Sequence, residues 1–447
     1  MNRALWILIG ICITGALIWT IRRDLHLIKL TSGDIRNRIV GARLQKDNQS
    51  PYFYKWRKGD GIRYYDPGNF NANAVSASTA SPFFHILLYP LAEFRQHTIN
   101  RIWLALQYVL LAISVFLCFK LTDTVPQKIA VLTAGTGILF TEGWINMITF
   151  GQLYLIPPFL AIAFIYYFQN NKDPVRALVS GTIFIVAVLI RPTILLFFLP
   201  FIFLFNKYAR HYKILFFIPS VLLLSWILAS STQRQLWADY RNNIQEHVKI
   251  HYLRDTTFKV NDPDPHYAEW EGMNYNEMEK EHKKGLFINH SQDINFSTLI
   301  SDIFHVQIPL PLLTGLFFII AGIMFLVFWA AYTNDSTFYN YPLLGYSLYM
   351  LCDFFSPINR YQYYAVQWIC PLLIAGVIFT FRFGKTYALI MICLILNVVN
   401  TPLIKMEHTL GEYLWLVCFF YLSVFYNKQK IQIFPYLKSK PCPKPSS

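Results

Sequence analysis

The chain has 447 residues, of which 55% are hydrophobic and 14% are charged, and its formal net charge is +14. Soluble proteins carry about 25% charged residues, so this composition excludes an ordinary soluble domain and predicts a polytopic membrane protein. Six of the seven cysteines lie within or beside apolar runs, and Cys442 lies in the tail. This distribution argues against a disulfide framework and against a cysteine metal site.

Long apolar runs predict about twelve membrane-spanning helices in one all-α integral membrane domain, 1–447. The first run has no small-residue cleavage site after it, so we expect an uncleaved helix. A proline after Arg191 should split one apolar run into two half-length helices. The predicted spans are 4–21, 101–120, 128–149, 152–168, 175–190, 192–205, 213–231, 311–332, 341–352, 363–381, 386–400 and 411–426.

Basic residues in the short loops predict the orientation, because cytoplasmic loops carry an excess of Lys and Arg. With the N-terminus inside, the other face's short connections hold only Arg191, Arg360 and Lys405. We therefore expect an inner-membrane protein with both termini in the cytoplasm and a basic cytoplasmic tail, 428–447. The cytoplasmic set is Lys120, Lys128, Lys172, Arg176, Lys207, Arg210, Lys213, Arg382, Lys385, Lys428, Lys430, Lys438, Lys440 and Lys444.

Two long polar segments, 22–100 and 232–310, then become extracytoplasmic loops. The first carries twelve Lys or Arg against six Asp or Glu. Long loops are exempt from the orientation bias, so this charge suits an anionic partner at the membrane surface, and no nucleic acid is expected. The second loop holds six of the eleven histidines without a compact ligand spacing, so we expect no metal and no cofactor.

The first loop contains two segments that favour the membrane interface. Residues 35–47 would place Ile35, Ile39 and Ala42 on one helix face, with Arg36 on a neighbouring face. The apolar segment 82–92 is too short to span and is typical of an interfacial or re-entrant piece.

Asp34 opens this segment, in "TSGDIRNRIVGARLQKDNQSPY", and two interpretations fit it. It can be the N-cap of a helix that begins at Ile35, because Asp accepts hydrogen bonds from the first free N–H groups. It can also be a general base just outside the membrane, taking a proton from a hydroxyl nucleophile.

Arg191, in "LIRPTILLFF", is a charge inside an apolar run. Such a residue is expensive in a bilayer and is a candidate for binding an anion, or else it reaches out to lipid phosphates. In "TEGWINMITFGQLYL", Gly151-Gln152 marks a turn between two helices. Gln152 is either an ordinary turn amide or a ligand contact, and Glu142 should have a cationic or hydrogen-bonded partner.

A late loop, 353–371, is rich in aromatic and hydrogen-bonding groups. Arg360, Tyr361, Gln362 and Tyr363 can bind a phosphate and a sugar ring, or form an aromatic interface belt with an anchoring arginine.

Four segments together resemble the polyprenol-phosphate-dependent glycosyltransferases of family 87, whose relatives include mannosyltransferases with the superfamily C membrane fold. They are the Asp34 segment, "SPFFHILLYPLAEF", "GQLYLIPPFLAIAFIYY" followed by "VLIRPTILLFFLPFIF", and "SPINRYQYYAV". Arg191 stands where that family often has Lys. The late loop lacks the family's frequent histidine, which puts a histidine role there in doubt.

The resemblance implies an inverting transfer of a sugar, such as mannose, from a polyprenyl-phosphate donor to a lipid or glycan acceptor. Asp34 would be the base, and Arg191, Arg360 and Arg36 would bind the donor phosphate. Glu142, Gln152, Tyr361, Gln362 and Tyr363 would contact sugar or acceptor. A lipid-linked sugar flippase and a sugar-polymer ligase remain alternatives, although no internal repeat typical of transporters is visible.

Overall fold

The structure, a computed structural model, describes most of the chain. The described residues are 3–29, 33–66, 75–76, 78–169, 173–208, 212–252, 269–274, 295–331, 338–358, 360–398 and 407–426. The predicted tail 428–447 lies outside them, as do His266, His282 and His290.

Helices make up nearly all regular structure in these residues. The described residues also contain one antiparallel hairpin of two-residue strands, β1 (Glu269–Trp270) and β2 (Met273–Asn274). The helices before the hairpin are α1 (Arg3–Leu27), α2 (Gly33–Lys46), α3 (Pro82–Leu87), α4 (Gln96–Lys120), α5 (Val125–Gly137), α6 (Glu142–Phe150), α7 (Ile156–Gln169), α8 (Pro174–Ile190), α9 (Leu195–Phe198), α10 (Ile202–Tyr208), α11 (Lys213–Ala229) and α12 (Ser231–Tyr252). Those after it are α13 (Phe296–Phe304), α14 (Leu310–Ala331), α15 (Asn340–Phe354), α16 (Ile369–Val377), α17 (Gly384–Leu396) and α18 (Glu407–Phe425).

Among the described helices, α1, α4, α14 and α18 are long and apolar enough to cross a bilayer. Helices α11 and α12 form a further pair, bent by 93°. Shorter apolar helical segments lie at Val125–Phe140, Ile156–Gln169, Pro174–Ile190 and Pro192–Phe205. The chain is therefore a helical integral membrane protein. Every predicted span coincides with at least one helix, while the number that crosses the bilayer stays a prediction.

The predicted helix break at Arg191 is confirmed. Helix α8 ends at Ile190, a 3-10 turn follows at Pro192–Ile194, and α9 begins at Leu195. Proline has no N–H to donate to the preceding turn, and its ring clashes with the carbonyl four residues back, so α8 cannot continue through it.

Helices α15 and α16 form the centre of the bundle. Every residue of α16 is buried, and so is every residue of α15 except Cys352. Helices α1 and α14 lie at the periphery, because only 6% and 11% of their apolar windows are buried. Large side chains such as Ile7 and Phe318 face outward there, as expected where lipid replaces protein neighbours.

Helix α2 forms where it was predicted, but protein encloses it on all sides. All residues from Ile35 to Gln45 are buried, including polar ones, rather than one apolar stripe. The sequence could not show this, because the cover comes from distant parts of the chain. Helix α3 packs beside α2, and the hairpin reaches α2 through Glu271.

The two long polar segments pack against each other. Asn243 of α12 donates to the Ser78 carbonyl over 2.6 Å, and Ser50 donates to Asp239 over 2.7 Å. Glu271 accepts hydrogen bonds from Arg36 and Arg43, each at 2.7 Å. Burial opposes ionisation of Glu271, but the bonds and charges of the two arginines outweigh it and hold its pKa below the ordinary value.

Candidate active site

Asp34 lies in the first turn of α2 and is half-buried. The helix begins at Gly33, so Asp34 stands inside the first turn and not at the N-cap before Ile35. The positive end of the helix dipole favours an ionised carboxylate there. The Asp34 Oδ2 accepts a hydrogen bond from the Gln152 side-chain amide. This contact joins α2 to the turn after α6.

The predicted turn at Gly151-Gln152 is confirmed. Gly151 ends α6 in the left-handed conformation, with φ of 66°, and the Gln152 N–H donates to the Met147 carbonyl over 2.9 Å. A Cβ on Gly151 would lie 2.5 Å from the Ile35 Cγ2. Glycine is therefore required both for the backbone angle and for the close approach to α2.

Arg38, which was not among the predicted site residues, completes this group. Its Nη2 donates to the Gln152 Oε1 over 2.6 Å, and its Nη1 donates to the Gly151 carbonyl over 3.2 Å. Gln152 thus accepts from Arg38 and donates to Asp34 through one amide. The spacing of four residues from Asp34 was the available signal, because positions i and i+4 share a helix face.

A row of tyrosine rings extends from Asp34. Tyr361 and Tyr363 are stacked with centroids 5.3 Å apart, and Tyr363 stacks on Tyr154 at 5.2 Å. Burial raises the pKa of the Tyr361 hydroxyl, and the nearby Asp34 carboxylate raises it further. Tyr154, two residues beyond Gln152, was missed because no local pattern distinguishes it from other interfacial tyrosines.

Arg191 lies at the other end of this row. Its guanidinium carbon is 4.9 Å from the Tyr154 ring centroid and 5.4 Å from that of Tyr364. Its Nη2 donates to the Asp353 Oδ1 over 2.7 Å, and its side chain is 18% exposed. Tyr154 therefore contacts both the Arg191 end and, through Tyr363, the Asp34 end.

Arg36 points away from this row. Its side chain is fully buried and donates to the Tyr65 and Ile62 carbonyls, each over 2.6 Å, as well as to Glu271. Burial lowers its pKa to about 10, although Glu271 opposes that change. The N–H groups that were predicted to hold a phosphate are thus engaged within the protein.

Arg360 is likewise engaged. It donates to both carboxylate oxygens of Glu412, over 2.9 Å and 2.5 Å, and neither side chain is exposed beyond 1%. The Trp368 Nε1 donates to the same carboxylate over 2.6 Å. This buried, bidentate ion pair fixes the late loop to α18.

Glu142 and Gln362 are placed differently from Gln152. Glu142 begins α6, and the rise of about 1.5 Å per residue puts it roughly 15 Å along the helix from Gln152. Its expected partner is His408, whose Nε2 lies 3.2 Å from the Glu142 Oε2. Gln362 accepts a hydrogen bond from Asn146 over 2.5 Å. These two contacts join α6 to α18 and to the late loop.

Within the described residues, no three His, Cys, Asp or Glu side chains are grouped as metal ligands. The row from Asp34 to Arg191 therefore offers a carboxylate, flat aromatic faces and two guanidinium groups. Such a set can take a proton from a hydroxyl, stack on a sugar ring and bind a phosphate.

Comparisons with known proteins bear on this arrangement. No curated protein matches the chain. A solved structure, the apo form of the Archaeoglobus fulgidus oligosaccharyltransferase, aligns with 13% identity and a TM-score of 0.38. The alignment covers 89% of this chain and 51% of the archaeal one, so the chain spans about half the length of that enzyme.

The model of Glycosyltransferase family 87 matches residues 79–259. That range contains the "SPFFHILLYPLAEF" segment, the Gly-Gln turn and the Arg191-Pro192 break, while Asp34 and the late loop lie outside it. With the apolar helices, the match supports a membrane glycosyltransferase. It confirms the family resemblance: over residues 79–259 this chain is similar to glycosyltransferase family 87.

Proposed function

We propose that the protein is an inverting glycosyltransferase that moves a hexose, such as mannose, from a polyprenyl-phosphate donor to a hydroxyl of a lipid or glycan acceptor. The observation that carries the proposal is the placement of Asp34. Its carboxylate stands at a helix N-terminus, is oriented by Gln152, and lies beside Tyr361 and Tyr363. The family match over residues 79–259 supports the reaction class.

The chemistry requires one base and a charged leaving group. Asp34 takes the proton of the acceptor hydroxyl as that oxygen bonds to the anomeric carbon. The bond from that carbon to the phosphate oxygen breaks, and its electron pair leaves on the polyprenyl phosphate. A phosphate needs no general acid to depart, whereas a two-carboxylate glycosidase needs a second placed acid.

The tyrosine row is suited to the transferred sugar. Tyr363, stacked between Tyr361 and Tyr154, offers ring faces against which apolar sugar C–H groups pack. Gln152 and Tyr361 can hydrogen-bond the sugar hydroxyls near Asp34. Gln362 holds the row in place through Asn146, and Glu142 steadies the far end of α6.

Turnover by the purified protein tests the function. The protein in detergent, given a polyprenyl-phosphate hexose and extracted acceptor lipids, should release free polyprenyl phosphate. The sugar in the product should have the opposite anomeric configuration to the sugar in the donor. Movement of the intact donor across a vesicle membrane without this release would instead favour a flippase. Transfer from a pyrophosphate-linked oligomer alone would favour a polymer ligase.

Arg191→Gln should weaken donor binding more than acceptor binding. Loss of one charge-assisted contact is expected to reduce donor affinity by about 1.5–3 kcal/mol, seen as a higher KM for the donor. Arg191→Lys is the matched control, because it keeps a cation beside Asp353. An equal rise in the KM for donor and the KM for acceptor would show that Arg191 does not bind the donor phosphate.

The orientation has its own test. We propose that both polar segments face the extracytoplasmic side, because the short basic loops fall on the opposite side. Gln49→Cys and Gln245→Cys change exposed residues, one in each segment, and should react from outside with a membrane-impermeant maleimide. Asp123→Cys, in the short α4–α5 connection, should react only after permeabilisation. The reverse pattern would overturn the orientation.

A further inference from the structure

Arg38 is a buried cation without an acidic partner. It is 7% exposed, and its hydrogen bonds end on neutral acceptors, the Gln152 amide and the Gly151 carbonyl. Within the part of the chain that the structure describes, no carboxylate lies within ion-pair distance of it. Six other arginines of the described chain pair with acids, as Arg23–Asp24, Arg36–Glu271, Arg43–Glu271, Arg63–Glu93, Arg191–Asp353 and Arg360–Glu412.

An uncompensated guanidinium is an unfavourable thing to bury, because neutral dipoles replace only part of its hydration. The nearby His85 does not alter the local charge balance. Burial, together with the charge of Arg38, lowers the pKa of His85 to about 3, so the ring is neutral at physiological pH. The charge of Arg38 is therefore available for an anion that arrives with a ligand.

Gln152 keeps this charge apart from that of Asp34. Residues at i and i+4 on a helix are close enough to form an ion pair, which would occupy both groups. Instead the Gln152 amide stands between them, its Oε1 on Arg38 and its Nε2 on Asp34. A negative and a positive group thus remain side by side, and the Arg38 charge has no acidic counter-charge among the described residues.

We propose that Arg38 binds the phosphate of the lipid-linked donor and stabilises the charge that develops on the departing phosphate oxygen. This inference rests on the proposed function. It assigns the ligand class as a long-chain isoprenoid phosphate, either the sugar phosphodiester or the monoester left after transfer. Asp34 then receives the acceptor proton at one side of the anomeric carbon, and Arg38 meets the leaving group at the other.

Ligand binding without turnover tests the assignment. Wild type and Arg38→Met are titrated in detergent with polyprenyl phosphate, with uncharged polyprenol of equal length, and with inorganic phosphate. Wild type should bind polyprenyl phosphate more tightly than polyprenol. Arg38→Met should lower the affinity for polyprenyl phosphate alone, by roughly ten- to hundredfold. Inorganic phosphate should compete in wild type but not in the variant. Arg38→Lys should recover part of the preference.

Arg57→Met is the matched control, because it removes an exposed positive charge from the same segment. It should leave the preference unchanged, which separates a specific site from general attraction to a basic surface. Undiminished binding of polyprenyl phosphate by Arg38→Met would overturn the inference. Equal loss of polyprenol and polyprenyl phosphate would also overturn it, since the effect would then not depend on the phosphate.

The outcomes also separate this inference from the proposed function. A wild type that transfers sugar, with an Arg38→Met variant whose donor KM is unchanged, defeats the inference alone. A wild type that binds polyprenyl phosphate through Arg38 but never transfers sugar supports the binding site and defeats the proposed function.

Discussion

Asp34→Asn is expected to lower sugar transfer by about 10²–10⁴-fold, the usual contribution of a positioned general base. Asparagine has the same shape, and its carbonyl oxygen can still accept the hydrogen bond from Gln152. It cannot take a proton from the acceptor hydroxyl. The loss should therefore fall on kcat, while the affinity for the donor lipid stays close to that of wild type.

Thermal unfolding of the detergent-solubilised variant supplies the control for this experiment. Asp34 is half-buried in the first turn of α2, where its charge contributes at most about 2 kcal/mol through the helix dipole. Asp34→Asn and Asp34→Ser should both unfold within a few degrees of wild type, and both should be inactive. Residual turnover above about a tenth of wild type would exclude Asp34 as the base.

Local sequence rules predicted the parts of this site that depend on neighbouring residues. The Gly151-Gln152 turn follows from a glycine after an apolar run, and the break after α8 follows from Pro192. The helix after Asp34 was predicted within two residues of its start. Each of these features is decided within a few residues of the chain.

Local sequence rules do not predict which partners the arginines find. Arg36 and Arg38 are two residues apart in one basic helix, and only the i+4 spacing of Arg38 from Asp34 distinguishes them in the sequence. The structure separates them, because Glu271, 235 residues away, pairs with Arg36 and not with Arg38. Partners at that distance are set by tertiary packing, so composition identified a basic loop but not the arginine with spare charge.

The length of α6 explains another difference between the predicted site and the observed one. Glu142 and Gln152 lie in one short motif and were considered together, yet α6 separates them by its whole length. Tyr154 was overlooked in the same motif, although its ring lies beside both Tyr363 and Arg191. Aromatic residues are common at membrane interfaces, so their presence alone could not single out the one between the two charged ends.

Glu412→Gln is expected to destabilise the protein more than Asp34→Asn or Arg191→Gln. The Glu412 carboxylate is 0% exposed and binds Arg360 through both oxygens as well as the Trp368 ring nitrogen. Glutamine keeps the shape and an acceptor for Trp368, but it leaves the Arg360 charge buried without its counter-charge. Removing one partner of such a pair lowers the free energy of unfolding by about 3–5 kcal/mol.

Denaturant unfolding in detergent, followed by tryptophan fluorescence, measures this loss, and a second substitution shows its cause. The double variant Arg360→Met/Glu412→Gln removes both charges while the glutamine still accepts from Trp368, so it should regain most of the lost stability. The folded double variant should also bind the donor lipid with nearly wild-type affinity if Arg360 only ties the late loop to α18. A stable double variant that fails to bind the donor would instead return Arg360 to the phosphate site, as the sequence first indicated. Glu412→Gln with undiminished stability would show that the buried pair contributes little to holding the loop, and the position of Tyr361 and Tyr363 would then depend on the tyrosine stacking itself.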